Sequence, residues 1–305
     1  MKTAFLLNPR AKKGTGIRSW SSFEPEIRSR FPHYTVYTPA DLSQLEEALC
    51  LIEQQHYERV IVVGGDGTVN RVLNLLLTRH PDFAKEVLVG ILPMGTGNDL
   101  ARSIGLTKSQ QKNLDILQKS RYRNIDIGQV TFTSPTGEPR TAYFCNMLTL
   151  GISTLALEAL NQARSPSPFC YMGTLVKKVA HYTPTSIRMY ANDHLVYKGP
   201  ILVASIANGR YIGGGIPLLP AASLQDGKFH TLAITKMPVW KQFCLLPLLY
   251  MGKQPFRERV ACTVSRVRIE SDVADTPFET DGELPGFLPL EAVCLPQAIR
   301  LIGAF

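Results

Sequence analysis

The stretch Gly64-Gly65-Asp66-Gly67-Thr68 lies between a β-branched run, Val60-Ile61-Val62-Val63, and a segment in which Val69, Val72, Leu73, Leu76 and Leu77 recur at helical spacing. A short apolar run of this kind suits a buried parallel strand, and the spacing after it suits a helix. The chain is therefore expected to run strand, glycine turn, helix. The three glycines of the turn permit positive φ and close approach of the backbone to another molecule, and the N–H groups that open a helix attract an anion. A phosphate is expected there. Asp66 stands in the middle of this loop and would repel such a ligand unless a cation or a catalytic task compensates, which points to nucleotide chemistry with a divalent metal.

The rest of the first third repeats the alternation. Ala4 to Leu7, Tyr34 to Tyr37 and Val87 to Leu92 read as further strands, and Leu42, Leu45, Leu49 and Ile52 form one apolar helical stripe with Glu46, Glu47 and Glu53 on other faces. Strands alternating with helices imply right-handed crossovers and a parallel sheet covered on both sides, with ligands at the carboxyl ends of the strands. After about residue 125 the texture changes to strand-like runs: Ile125 to Phe132, Ala142 to Leu148, Ser186 to Tyr190, Ile201 to Ala207, Phe229 to Ile234 and Val260 to Ile269. Turns such as Pro135-Thr136-Gly137 and Asn192-Asp193 make these antiparallel, and a β-sandwich or barrel is the natural second domain. Helical interruptions are expected near Thr154 to Gln162, Thr174 to His181 and Val239 to Met251. The expected division is an α/β nucleotide domain over 1–124 and an antiparallel β-sandwich over 125–290, with 291–305, which contains the strand-like Ala298 to Ile302, free to rejoin the first.

With 305 residues and 45% hydrophobic content the chain can bury a full core. Its net charge of +8 suits an anionic partner, and the absence of a dense basic run with interleaved aromatics argues against nucleic acid. Six scattered cysteines without zinc-site spacing read as reduced core residues. No apolar stretch reaches the ~20 residues that span a bilayer, and the N-terminal apolar run is too short for a signal peptide, so a cytoplasmic location with peripheral membrane contact is expected.

A second glycine loop, Pro93-Met94-Gly95-Thr96-Gly97-Asn98-Asp99, follows another apolar strand; Asn98 or Asp99 also suits a plain helix cap. The P-loop pattern is absent, and Gly14-Thr15-Gly16 lacks the third glycine of a dinucleotide fingerprint. Together, the two loops resemble the diacylglycerol kinase catalytic-domain family, specifically its soluble bacterial lipid kinases. The resemblance runs nearly end to end, through Asn8-Pro9, Gly213-Gly214-Gly215, Pro220-Ala221-Ala222, Asp226-Gly227 and Asp281-Gly282-Glu283. A GGDGT loop alone is shared with NAD kinases and 6-phosphofructokinases; the later motifs make the match specific.

The resemblance implies a NAD-kinase-like or 6-phosphofructokinase-like α/β domain followed by a β-sandwich, with ATP phosphates on the GGDGT loop and Mg2+ as cofactor. It implies a nucleotide site lined by Asn8, Thr38, Gly64, Gly65, Asp66, Gly67, Thr68, Val69, Asn70 and Thr96. Lys12 and Lys13 either neutralise phosphate or are solvated. The resemblance also implies a structural magnesium on Asp226 and the backbone carbonyls of Ser223 and Lys228; oxygen donors suit a hard cation, although Asp226-Gly227 is equally a hairpin turn. Gln225 stands where many relatives carry a second acid. Of the two acids in the terminal motif, the resemblance makes Glu283 the proton acceptor, with Asp281 and Asp66 supporting metal and substrate geometry.

An apolar acceptor cleft between the domains is expected. Val239 to Tyr250, with Lys236, Lys241 and Lys253 around it and Pro247 inside it, reads either as an interfacial helix or as ordinary packing. The activity implied is phosphorylation of a lipid hydroxyl, with diacylglycerol as the default acceptor; a homodimer is admitted rather than required. Two rival readings stand: an NAD kinase, and a non-catalytic lipid-binding regulator on the same scaffold.

Overall fold

The structure is a computed structural model, and the residues it describes are 1–9, 16–134, 136–162, 182–235, 237–238, 240–241, 247–249, 251–253 and 259–305. Strands β1 (Thr3–Leu7), β2 (Tyr34–Tyr37), β3 (Arg59–Gly64) and β4 (Leu88–Pro93) form a parallel array in the order β4-β3-β1-β2. Helices α1 (Gly16–Arg30), α2 (Leu42–Gln54) and α3 (Asp66–Arg79) follow the first three strands, the short α4 (Pro81–Glu86) leads into β4, and α5 (Asp99–Ser103) and α6 (Gln110–Lys119) follow it. Both faces of the sheet are covered because each strand alternates its side chains. Val60 and Val62 enter a core with Leu49, Ile52, Val72 and Leu73, whereas Ile61 and Val63 enter one with Phe5, Trp20, Ile27 and Leu114. The expected stripe on α2 needs one correction. Leu42 is 56% exposed and Ala48 takes its place beside Leu45, Leu49 and Ile52. Leu42 sits in the first turn, where the side chain tilts towards and past the helix start.

The second half is mostly antiparallel: β5 (Tyr122–Thr133), β6 (Pro139–Phe144), β7 (Met147–Gly151), β8 (Ser186–Ala191), β9 (His194–Ala207), β10 (Phe229–Thr235), β11 (Arg259–Val264), β12 (Arg266–Ser271), β13 (Pro277–Thr280) and β14 (Glu283–Ile302). Its sandwich core contains Phe144, Leu148, Ile206, Phe229, Val267 and Phe278. Asn192 and Asp193, at φ 45° and 68°, turn β8 into β9 as a tight hairpin requires. Two runs read as single strands are each divided. Ala142 to Leu148 breaks at Cys145-Asn146, whose N–H groups leave the ladder for the Asp281 carboxylate, and Val260 to Ile269 breaks at Ser265.

Strand β14 ties the halves together. It pairs antiparallel with β5 and β12, and at Arg300 and Leu301 it runs parallel to Leu88 and Val89 of β4. Helix α7 (Ile152–Gln162) lies across β7, β13 and β9. The helix expected at Thr174 to His181 lies outside the described residues, as does most of Val239 to Tyr250. Among the described residues no helix is long and apolar enough to cross a membrane.

Candidate active site

Parallel strands bring Asn8, Thr38, the GGDGT loop and the Pro93 to Asp99 loop to one edge, at the carboxyl ends of β1, β2, β3 and β4. Asn8 Nδ2 donates to Thr68 Oγ1 at 2.8 Å and its backbone N–H to Val63 O at 3.1 Å, which fixes the end of β1 against the loop. Thr38 and Thr96 are exposed on this edge. Lys12 and Lys13 lie outside the described residues.

The glycines of the first loop are needed for space, not for handedness. None of Gly64, Gly65 and Gly67 has a positive φ. Instead, a Cβ on Gly65 would lie 2.9 Å from Gly95 Cα, and one on Gly95 would lie 2.4 Å from Gly65 Cα. The two loops therefore touch backbone to backbone. Asp66 reaches across this contact: its Oδ1 accepts the Leu100 N–H at 3.2 Å, at the start of α5 (Asp99–Ser103), and a Cβ on Gly97 would stand 2.7 Å from its Oδ2. The missing side chain at Gly97 leaves a carboxylate oxygen uncovered at the loop surface, a donor that fits a hard cation.

Asn98 and Asp99, which also suited a plain helix cap, do other work. Asn98, at φ 54°, closes the loop by bonding both Gly95 N–H and Gly95 O. Asp99 accepts the Gly214 N–H at 2.9 Å and pairs with Arg102 at 2.8 Å, which docks the Gly213-Gly214-Gly215 segment on the second loop. Burial pushes the Asp99 carboxyl up; the Gly214 N–H opposes this, Asp66 adds to it and Arg102 opposes it.

The two acids of the terminal motif differ sharply. Asp281 is half-buried and takes four N–H donors: Cys145 and Asn70 Nδ2 on Oδ2, Asn146 and Met147 on Oδ1, at 2.8 to 3.1 Å. Burial pushes its carboxyl up, and these donors pull it back by favouring the charged form. Glu283 is half-exposed. Its Oε1 accepts from the Arg71 guanidinium at 2.8 Å and stands 3.1 Å from where a Cβ on Gly67 would be. The glycine again makes room, this time for a carboxylate over the first loop.

Two residues assigned to the nucleotide face inward. Val69 is 2% exposed in the core, and its N–H, like that of Thr68, bonds Gly65 O. Asn70 is buried and spends its amide N–H groups on Tyr143 O and Asp281. The N–H groups of Asp66 and Gly67 are the ones that the helix cannot satisfy itself.

Some distance along the chain, Asp226 bonds the Lys228 N–H at 3.2 Å and His230 Nε2 at 3.1 Å, and Ser223 Oγ accepts the Gln225 N–H. Close by is Asp126, fully buried, whose two oxygens accept Gly227 N–H and Gln297 N–H. Burial first, then Asp126 and Asp226, push the Cys294 thiol up to about 12. Asp226, in the turn with Ser223 and Lys228, is an oxygen donor of the kind a hard cation takes, and its two oxygens here hold the Lys228 N–H and His230.

Sequence reasoning passed over Asp126, Asn146 and Asn208. Asn208 is fully buried and clamps Asp126 O and Cys145 O at 2.7 Å each, and Asn146 holds Tyr211 O while its carbonyl accepts from Asn208 and Gly209. Their partners are far away in sequence. The one available signal was polar residues inside apolar strand runs.

Known proteins match this arrangement. A family model described as the diacylglycerol kinase catalytic domain matches residues 2–130, and one described as the YegS C-terminal NAD kinase beta sandwich-like domain matches 146–303. A diacylglycerol kinase of Staphylococcus carnosus is 28% identical over 81% of this chain and 77% of its own. One of Mycobacterium tuberculosis is 22% identical over 99% and 94%. A diacylglycerol kinase structure from Bacillus anthracis superposes with a TM-score of 0.73 at 17% identity, covering 99% of this chain and 97% of that one. Yeast NADH kinase, complexed with NADH, superposes at 0.57 with 9% identity, covering 100% and 84%. The overall architecture, an α/β domain followed by a β-sandwich-like one, is thus shared with solved structures titled diacylglycerol kinase and NADH kinase. Within it, this chain belongs to the diacylglycerol kinase catalytic-domain family.

Proposed function

We propose that the protein is an ATP- and Mg2+-dependent lipid kinase that transfers a γ-phosphate to a lipid hydroxyl at a membrane surface. The observation that carries this reading is the convergence of Asp66, the two glycine loops and Glu283 on one edge, with Glu283 Oε1 3.1 Å from the Cβ place on Gly67. Phosphoryl transfer asks for little covalent chemistry from a protein: positioning, charge neutralisation and an acceptor for the alcohol proton. Glu283 takes that proton, and Arg71 holds it over the loop. Gly64, Gly65, Gly67 and Thr68 offer backbone to the phosphates, Asn8, Thr38 and Thr96 line the same edge, and Val69 and Asn70 fix the helix behind it. Asp66 holds the metal that accompanies the nucleotide; bound there, Mg2+ neutralises phosphate charge. Asp281 acts as a positioning residue through Asn70. Asp226, with the carbonyls of Ser223 and Lys228, holds a second, structural magnesium.

The division at 1–124 and 125–290, with 291–305 returning to the first unit, follows the same reading. Peripheral membrane contact from the cytoplasm is supported by Trp240 and Met251, which are 69% and 67% exposed beside Lys241 and Lys253. Diacylglycerol, the substrate in the relatives' names, is the first acceptor to try.

The test is transfer of label from γ-labelled ATP with Mg2+ into a total lipid extract, with NAD offered in parallel. Label in lipid supports the reading. Label in NAD instead would favour an NAD kinase, and label in neither a regulator.

A further inference from the structure

Three buried polar side chains stand abreast on the sheet beside the proposed transfer site. Glu279 of β13 pairs with Thr149 of β7, and Thr149 pairs with Ser205 of β9. Directly opposed residues project to the same face, so the three form a row. Their neighbours Leu148, Leu150, Ala204, Ile206 and Phe278 fill the sandwich core; the row faces the other side, which α7 covers. Thr149 and Ser205 are fully buried, and Glu279 is 8% exposed.

A row chosen for stability alone would be apolar, because buried polar groups cost unless they are bonded. This row is left incomplete. Ser205 Oγ is sealed from solvent and has no hydrogen-bond partner among the described residues. Among the described residues the Glu279 carboxyl bonds only Thr149, through Oε1, which leaves Oε2 without a partner. Thr149 also contacts Ser153 Oγ of α7 at 2.7 Å. A threonine hydroxyl has one proton, so it cannot donate to both neighbours, and the chain has two polarities, one for each protonation state of Glu279. Burial pushes that carboxyl up to about 7, against the Thr149 hydrogen bond and with the Asp281 charge adding to it.

The position is as informative as the chemistry. Glu279 lies two residues before Asp281 and four before Glu283, so the row begins about 7 Å along the strand from the Asp281 anchor. Above it, α7 leaves Leu155 and Leu157 half-buried, apolar surface of the kind an acyl chain can use.

We propose that Glu279, Thr149 and Ser205 form the subsite for the acceptor's headgroup, and that the acceptor is a lipid alcohol with a second hydrogen-bond donor beside the hydroxyl that is phosphorylated. That donor, a free hydroxyl or an ammonium, meets Glu279 Oε2. The inference rests on the lipid-kinase reading and replaces its default acceptor. Beyond its reacting hydroxyl, diacylglycerol offers only ester oxygens, which accept and so leave the ionised Glu279 carboxylate unpaired. A site built to hydrogen-bond a donor discriminates strongly against a ligand that lacks it.

The experiment compares kcat/KM for 1,2-dioleoylglycerol, 1-oleoylglycerol and sphinganine in mixed micelles, using the full chain and the variants Glu279→Gln, Glu279→Leu and Ser205→Ala. The wild type is expected to prefer one donor-bearing lipid over dioleoylglycerol by at least about tenfold. Glu279→Leu should collapse that ratio to within about threefold, and Ser205→Ala should narrow it. Preference for sphinganine that is lost in Glu279→Gln identifies an ammonium; preference for oleoylglycerol that is partly kept identifies a hydroxyl. Because the readout is a ratio between lipids on one protein sample, a loss of folded protein does not imitate it. Equal or better use of dioleoylglycerol by the wild type would overturn the proposal, as would a ratio unmoved by both Glu279→Leu and Ser205→Ala. Phosphorylation of no lipid by the wild type would overturn the lipid-kinase reading itself, and this inference with it.

Discussion

Asp281 and Glu283 leave the same turn and enter opposite surroundings. Asp281 turns inward to the seam between the halves, where four N–H groups saturate it; Glu283 turns outward over Gly67, where one exposed guanidinium is its only hydrogen-bond partner among the described residues. The contrast separates two uses of a carboxylate. At the seam, charge is spent on geometry: it draws Cys145 and Asn146 out of the strand ladder, holds the N–H of Met147 at the start of β7 and locks Asn70 of α3 to the second half. At the loop edge, charge is left accessible to a ligand. Asp281 and Gly282, at φ 49° and 87°, make the tight turn that lets the two acids face two ways.

The largest effect that would break this comparison is at the seam. Asp281→Ala leaves four buried donors unsatisfied and should destabilise the fold by about 3–5 kcal/mol, read from urea denaturation. A loss under about 1 kcal/mol would mean that the seam does not depend on this charge.

Next comes Glu279, whose folded carboxyl sits at about 7 against an unfolded value of 4.5. Below pH 4.5 both states are protonated and the group costs nothing; as pH rises to about 7 the unfolded state ionises first, so stability falls, by up to about 3 kcal/mol. Glu279→Gln should flatten that slope between pH 4.5 and 8 in thermal melts, and an unchanged slope would assign it to other groups.

Gly95→Ala forces a Cβ to 2.4 Å from Gly65 Cα and should cost about 1–3 kcal/mol, because backbone must move on both loops. Nucleotide-dependent thermal stabilisation should weaken with it. The smallest effect is Arg71→Ala. An exposed pair contributes little, so stability should change by less than about 1 kcal/mol, while activity falls through a looser Glu283.

Much of the first half was legible because its signals are local. The run Val60 to Val63, the glycine loop and the stripe on α3 each need only a short window, and β3 and α3 form where they indicate. The glycines were identified correctly but for a different physical reason. Positive φ is a property of one residue, whereas the contact of Gly65 with Gly95 needs two loops brought together by the pairing of β3 with β4. The same limit hid Asp126, Asn146 and Asn208. Asn208 Nδ2 meets a carbonyl 82 residues away, and nothing near Asn208 in sequence announces it. Asn98 stands at the cap position of α5 without a side-chain cap bond, and the carboxylate that accepts the Leu100 N–H is Asp66, 34 residues earlier.

The most direct test of the central claim is phosphate transfer from labelled ATP to lipid by the wild type, Asp66→Asn and Glu283→Gln, with thermal melts of all three. Asparagine can still accept the Leu100 N–H, and glutamine loses only an exposed ion pair, so all three should fold alike. The account predicts that both variants melt within a few degrees of the wild type and lose at least about a hundredfold in turnover. A folded Glu283→Gln or Asp66→Asn that phosphorylates lipid at the wild-type rate would contradict it.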